Sequence, residues 1–395
     1  MAEPLRALLA GGGTAGHVNP LLATAAALRD SGAEVSVLGT AEGLEHTLVP
    51  EAGFPLELID RVPLPRRPSL DLLRLPGRLR GAVSAADRAI AETGAQVVVG
   101  FGGYVATPAY LAARRRNVPV VVHEQNARPG LANRVGARRA AVVALTFAST
   151  PLRAGRGRTE VTGLPLRASV AELAADRATA EGAAARRAAG AAELGLEPHR
   201  TTLLVTGGSL GAQRLNDATS AAAADLVRAG AQVLHLTGRG KDGPVRAMVE
   251  AAARELPAVG EHYHVREYLG AMEHAYACTD LVLCRSGAGT VAELTALGLP
   301  AVYVPLPIGN GEQRLNAADV LDAGGGVLVD DADLDAAYVS REVAALLADP
   351  DELRRRGAAA ANAGSTDAAA HLVALVREAA GTSAPGDRSE EGGRG

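Results

Sequence analysis

A serine, two glycines and a glutamate within one stretch define the chemistry this chain could do. Cys284-Arg285-Ser286-Gly287-Ala288-Gly289-Thr290-Val291-Ala292-Glu293-Leu294 follows a short apolar run, residues 280–283, that reads as a buried strand. It leads into residues 290–297, which read as a helix closed by Gly298 and Pro300. Small residues at a helix start let backbone N–H groups approach an anion, and the helix dipole favours negative charge there. Glu293 lies one turn on, and a carboxylate can accept two hydrogen bonds from a ribose diol. Phosphate cradle and diol acceptor together suggest a nucleotide. A strand–turn–helix corner with glycines for tight packing has the same spelling, and this stretch alone leaves both readings open.

Three other groups could do chemistry. His17 follows Gly11-Gly12-Gly13-Thr14-Ala15-Gly16, at the edge of a sheet where ligands of α/β folds bind. A histidine there can act as a general base, and a histidine bonding its own backbone at a helix start fits the spacing equally. His123-Glu124-Gln125-Asn126 places four polar side chains just past an apolar strand, and Gly102-Gly103-Tyr104 follows the preceding strand. Glu312, Gln313 and Asn316 could read sugar hydroxyls, or simply begin a surface helix.

The elements that must position these groups fall into two similar halves. Strand 5–10, the glycine turn, helix 21–29, Gly32-Ala33 and strand 34–39 open the chain as a βαβ unit. Strands 96–100, 118–122, 142–146 and 160–162 complete the first half. The pattern restarts with strand 201–206, Gly207-Gly208-Ser209-Leu210-Gly211-Ala212, an alanine-rich helix, Gly230-Ala231 and strand 232–237. Strands 263–265, 280–283, 301–304 and 326–329 fill the second sheet. The expected fold is therefore α/β, with two Rossmann-like doubly wound domains. Residues 171–199 read as a helical connector without chemistry, and 381–395 as a solvated tail.

Composition excludes several classes. The chain has 395 residues, 48% hydrophobic and 21% charged, with a net charge of −4, 3% aromatics and no Trp. Such a chain is globular, and neither its charge nor its aromatics suit nucleic-acid binding. Cys278 and Cys284 are the only cysteines, which fits a reducing compartment without a disulfide framework. No stretch is apolar enough to span a bilayer and no signal peptide is evident, so a cytoplasmic protein is expected. Residues 11–16 spell G-x-G-x-x-G, but Gly39-Thr40 stands where a dinucleotide site needs an acid, with Glu42 just beyond. A nicotinamide enzyme is thus a minor alternative. Lys241 is followed by Asp242, so there is no Walker A motif, and no metal-ligand cluster stands out. No metal and no cofactor are expected.

Taken together, the motifs resemble the MurG family of bacterial transferases. The resemblance rests on the glycine turn with His17, Gly102-Gly103-Tyr104, His123-Glu124-Gln125-Asn126, Gly163-Leu164-Pro165-Leu166-Arg167, residues 207–212, 285–293 and 311–316, and runs from about Leu5 to about Ala380. It implies the GT-B form of this fold, two domains facing a cleft. The implied domains are residues 1–163, facing acceptor and membrane, and residues 164–349, binding UDP-sugar. Helices at about 350–380 would cross back to the first domain. The implied reaction moves GlcNAc from UDP-GlcNAc to the 4-hydroxyl of MurNAc in undecaprenyl-pyrophosphoryl-MurNAc-pentapeptide, with inversion. By resemblance, His17 is the candidate base and Thr14, Ala15 and Gly16 line the catalytic side. Asn126 reaches the sugar, while Arg167 and Ser209 hold nucleotide and phosphates. Leu269 sits beside the uracil. Ala288, Gly289 and Thr290 offer backbone to the sugar and pyrophosphate, with Val291 and Ala292 counted in the same donor site. Glu293 takes the ribose and Gln313 the transferred sugar.

Three positions depart from the family's commonest pattern: Ala15 for Gly, Gln213 for Arg and Glu312 for Gln. Glu312 matters most, because a carboxylate cannot donate to a sugar oxygen. The implied acceptor is a lipid, which draws attention to residues 61–81. There Arg74, Arg78 and Arg80 border Leu72, Leu75 and Leu79 at helical spacing. That pattern reads as a peripheral docking surface for an anionic membrane on its cytoplasmic face, or as leucines packed on the core with solvated arginines. Cell-wall and division proteins are further expected partners. Another UDP-sugar enzyme of this fold, such as a natural-product glycosyltransferase or an epimerase, and a catalytically silent division scaffold are the alternatives.

Overall fold

The computed structural model describes residues 3–62, 71–208, 211–308 and 310–381, with the backbone alone at 71–74. The chain divides into two compact units, 1–167 with 367–395 and 168–366.

In the first unit, runs rich in Val and Leu are buried on both faces, as parallel strands must be when helices cover each side. The strands are β1 (Arg6–Ala10), β2 (Glu34–Gly39), β3 (Leu56–Leu58), β4 (Val97–Gly100), β5 (Val120–Glu124), β6 (Val142–Leu145) and β7 (Arg158–Val161). They form one parallel sheet in the order β3-β2-β1-β4-β5-β6-β7. Alternate side chains feed two cores: Leu8, Ala10, Val98 and Val122 pack on one face, and Ala7, Leu9, Val97, Val99 and Val121 on the other. The order steps outward from β1 in both directions, which puts a ligand-binding switch point beside the C-terminal end of β1.

The second unit repeats the plan. β8 (Thr202–Thr206), β9 (Gln232–Leu236), β10 (Tyr263–Arg266), β11 (Leu281–Cys284), β12 (Ala301–Tyr303) and β13 (Gly326–Leu328) lie in the order β10-β9-β8-β11-β12-β13, again all parallel.

Several boundaries differ from those read in the sequence. The first unit ends at Arg167, not 163. Of the last two helices, Pro350–Asn362 belongs to the second unit, because Gly357 lets it approach the strand-leading turn at Gly298: a Cβ on Gly357 would lie 2.8 Å from the Gly298 carbonyl oxygen. Ala368–Ala379 alone returns to the first unit, seating Leu372, Leu375 and Val376 in the core beside Leu9 and Val121. Residues 171–199 are helical as read, in helices Ala168–Asp176 and Ala180–Leu194, and they are also packed into the second unit. Helix Ala180–Leu194 packs on helix Met272–Cys278, and Arg187 grips the Asp280 carboxylate at 2.7 and 3.0 Å. The edge strand β3 is absent from the sequence reading, because its three residues, Leu56-Glu57-Leu58, are too few for their alternation to stand out.

The expected docking stripe lies on helix Asp71–Thr93 and is described in part. Leu75 and Leu79 are half-buried and pack on the first unit's core, while Arg78 and Arg80 are exposed. At Leu75 and Leu79 the apolar side of this helix is thus used by the fold itself. Leu72 and Arg74 lie on the same helix, within the part described by backbone alone. Among the described residues no helix is long and apolar enough to cross a membrane.

Candidate active site

The helix after β1 begins at Ala15, earlier than its apolar pattern suggests, and runs to Asp30. Pro20 lies inside it and has no N–H to give the Gly16 carbonyl, a small loss at an open first turn. Thr14 is the residue before the helix, and its carbonyl accepts the His17 and Val18 N–H groups at 3.0 and 3.1 Å. Thr14, Ala15 and Gly16 are exposed, and His17 is half-buried on the first turn.

The His17 ring does not bond its own backbone. Its Nδ1 lies 3.0 Å from Oε1 of Gln125. Gly102 makes room for it, since a Cβ there would sit 3.3 Å from the His17 Cε1, and Gly102 itself has φ +88°. Gly103, at φ +76°, would place a Cβ 2.6 Å from the Gly12 carbonyl oxygen, so the two glycine turns touch only because both lack side chains.

His123 and Glu124 are the last residues of β5 rather than loop residues past it, and both are buried with Gln125. Glu124 holds the following loop together. It accepts from the Asn126 N–H at 3.0 Å, the Gly130 N–H at 3.0 Å and Asn133 Nδ2 at 2.9 Å. Burial raises its pKa against these bonds and the nearby His17. Asn133, which no motif flagged, is buried and also donates to the His123 carbonyl at 3.0 Å, while Tyr110 donates to its Oδ1 at 2.8 Å. Asn126 follows this pinned turn and is half-buried.

Glu45 is the other residue that sequence reasoning missed. It is fully buried against the glycine turn and accepts from the Gly13 N–H at 2.8 Å, the Thr40 N–H at 3.1 Å and Thr40 Oγ1 at 2.8 Å. Burial pushes its pKa up, but the hydrogen bonds outweigh it and hold the carboxyl below its ordinary value. A Cβ on Gly12 would lie 2.3 Å from its Oε1. The turn that spells a dinucleotide fingerprint is therefore filled by a carboxylate of the chain itself, which would repel a pyrophosphate. The nicotinamide alternative fails on this geometry.

In the second unit the helix start expected to cradle phosphate is open. Helix Ala288–Ala296 starts two residues before its expected bound, and Gly287 precedes it without a side-chain cap. Nothing described lies within 4 Å of where a Cβ on Gly287 or Gly289 would be. Ser286 is fully buried, and among the described residues no group bonds its hydroxyl. Ala288 and Thr290 begin the helix beside Gly289; Val291 and Ala292 are buried, so these positions offer a ligand backbone rather than side chain. Glu293 is half-buried, and its Oε2 accepts from the Tyr276 hydroxyl at 2.8 Å, which orients the carboxylate.

Arg285 is engaged within the chain. It pairs with Asp331 at 2.6 Å and donates to the Val304 and Pro305 carbonyls at 3.1 Å, tying down the loop after β12. On the short helix that follows, Glu312–Asn316, Gln313 accepts from the Leu306 N–H at 2.9 Å, and buried Asn316 donates to the Ser286 carbonyl at 3.3 Å. Leu269 is half-buried beyond the edge strand β10, next to Tyr268, whose ring carries the Arg239 guanidinium 4.7 Å from its centroid. Arg167 is half-buried at the end of the first unit. Ser209 lies outside the described residues.

The first unit thus joins Thr14, Ala15, Gly16 and His17 to Gln125 and the Asn126 turn. The second joins residues 286–293 to the short helix that carries Gln313 and Asn316. Comparison with known proteins matches both. Residues 7–145 match the glycosyltransferase family 28 N-terminal domain and residues 202–372 the family's C-terminal domain. A UDP-N-acetylglucosamine--N-acetylmuramyl-(pentapeptide) pyrophosphoryl-undecaprenol N-acetylglucosamine transferase of Nocardioides sp. is 54% identical over 95% of this chain and 98% of its own. The Streptomyces coelicolor protein of the same name is 50% identical over 95% and 98%. Among solved structures, MurG of Acinetobacter baumannii superposes with a TM-score of 0.74 at 28% identity, covering 95% of this chain and all of that one.

Proposed function

The chain belongs to glycosyltransferase family 28 and, within it, to the MurG family of GT-B enzymes, and from that premise we infer that it moves GlcNAc from UDP-GlcNAc to lipid-linked MurNAc-pentapeptide in peptidoglycan synthesis. The observation that carries this reading is the contrast between the glycine turn after β1 and the helix start after β11. The second unit keeps an uncapped helix start with Glu293 one turn on, whereas the first fills its own turn with Glu45 and sets His17 beside it. Donor belongs to the second unit and proton chemistry to the first.

The step balances as a direct displacement. The MurNAc 4-hydroxyl oxygen bonds to the anomeric carbon while that carbon's bond to the β-phosphate oxygen breaks, and the leaving UDP keeps the electron pair. His17 takes the hydroxyl proton. The helix dipole at Ala288–Thr290 stabilises charge developing on the pyrophosphate, and Glu293 accepts from the ribose hydroxyls. Thr14, Ala15 and Gly16 frame the acceptor, Asn126 and Gln313 meet the sugar, Leu269 the uracil, and Arg167 and Ser209 the nucleotide. No metal enters this scheme. The exposed Arg78 and Arg80 are the part of the docking stretch that supports peripheral attachment to an anionic, cytoplasmic membrane face. The core-packed Leu75 and Leu79 do not.

Incubation with UDP-GlcNAc and a short-chain lipid I analogue tests the reading. The expected product is the lipid-linked disaccharide, identified by mass, with one UDP released for each. UDP-GlcNAc turned over to an isomeric UDP-sugar without acceptor, or left untouched, would overturn it.

A further inference from the structure

Two backbone carbonyls settle where the protons lie in the chain of polar groups behind His17. A carbonyl can only accept. His123 Nε2 is 3.0 Å from the Gly163 carbonyl oxygen, so Nε2 carries the proton. His123 is fully buried, and burial lowers its pKa to about 4, so the ring is neutral near pH 7 and its Nδ1 is an acceptor. Gln125 Nε2 is 2.9 Å from the His123 carbonyl oxygen and 3.0 Å from His123 Nδ1. Both contacts need a donor, and a side-chain amide nitrogen has two protons to give. The amide cannot flip, because its oxygen would then face a carbonyl and a lone pair. Gln125 Oε1 therefore points at His17 Nδ1, 3.0 Å away, and an amide oxygen only accepts.

From this arrangement we propose that Gln125 and His123 are positioning residues that fix the tautomer of His17, with the proton on Nδ1 and the lone pair on Nε2. The proposal rests on the reading of His17 as the base and adds what makes it one. A neutral imidazole has one acceptor nitrogen, and which one it is follows from the bond the other makes. Without Gln125 the ring would exchange between tautomers and lose its orientation. The relay runs from the end of β5 to the loop at Gly163, both inside the first unit, so it is in place before any donor binds. Phe101 braces its buried end, with ring centroids 5.6 Å from His123.

Nitrogen-15 NMR of the full chain labelled at the histidine rings reads the tautomer directly. The resonances that vanish in His17→Ala belong to His17. In the unmodified protein they should show protonated Nδ1 and unprotonated Nε2. In Gln125→Leu that pattern should give way to a mixture, and kcat on the soluble acceptor should fall about 10²-fold, in the range of a general base's contribution, with KM for UDP-GlcNAc unchanged. His123→Phe keeps the ring packing and the amide's bond to the residue 123 carbonyl. It should cost only about fivefold, the worth of one neutral hydrogen bond. A His17 ring protonated on Nε2 in the unmodified protein overturns the proposal, even if Gln125→Leu fails to fold. So does a Gln125→Leu protein with unchanged tautomer and turnover. The expected tautomer together with full activity in His17→Ala would instead overturn the reading of His17 as the base and leave the relay standing.

Discussion

After β1 the glycine turn holds a carboxylate of its own chain, whereas nothing described lies within 4 Å of a Cβ on Gly208, Gly287 or Gly289 in the second unit. The two halves have the same strand order about β1 and β8 and the same Gly-rich first turn, so topology does not tell them apart. One side chain does. Glu45 comes from the helix after β2, Glu45–Glu51, and takes the N–H donors that a phosphate would use. A duplicated architecture can thus assign anion binding to one copy by neutralising the donors of the other.

The buried histidines show the same division. His235 is closed in by Tyr263 at 2.8 Å and Asn216 at 3.0 Å, and Asn216 ends on the Thr237 carbonyl. Every member of that network is buried. The His123 network instead ends on half-buried His17. One network only packs, and the other reaches a side chain that can meet substrate.

The hardest test of this contrast is His17→Ala. It should lower kcat by roughly 10²–10⁴ and leave UDP affinity in calorimetry untouched; loss of UDP binding would mean the two roles are not separated by unit. Acid should act on both networks alike. Each buried histidine has a lowered folded pKa, about 4 for His123 and about 3 for His235. Below the unfolded value of about 6.5 the unfolded chain binds protons that the folded chain refuses. Stability is therefore full above that pH and falls as pH drops toward 4 and 3, by up to about 1.4 kcal/mol per pH unit per histidine. His123→Phe and His235→Phe should each flatten the pH dependence of the urea midpoint, while only His123→Phe alters turnover. A slope unchanged in both would sink the assignment.

Glu45→Gln puts an amide where a carboxylate accepts three donors. Losing charge-assisted bonds should cost about 1.5–3 kcal/mol of unfolding free energy, read by denaturant titration. UDP should still bind one site. A second UDP site appearing in calorimetry would sharpen the comparison, since it would show the first turn competent once its charge is removed. Glu293→Ala should weaken UDP about ten- to a hundredfold; unchanged affinity would remove the ribose role. Smallest is Arg78→Glu with Arg80→Glu, at about 1 kcal/mol per arginine near an anionic surface. Release from anionic vesicles with full activity on a soluble acceptor is expected. Persistent vesicle binding would move the docking surface elsewhere.

Local sequence was enough for every strand but β3, the two-unit plan, the open helix start at 287–290 and the polar run at 123–126, because apolar runs and glycine punctuation report on backbone within a few residues. It also carried the family, through the combination of motifs. It could not show that Leu75 and Leu79 face the core, that Glu45 fills the first glycine turn, or that Asn133, Tyr276 and Asp331 hold Glu124, Glu293 and Arg285. Each of those facts depends on which element packs against which. The direction of a proton on His17 depends on carbonyls at 123 and 163, more than a hundred residues away along the chain. Spacing specifies which groups are available; only the folded sheet brings an acceptor within 3 Å and so decides what each group does.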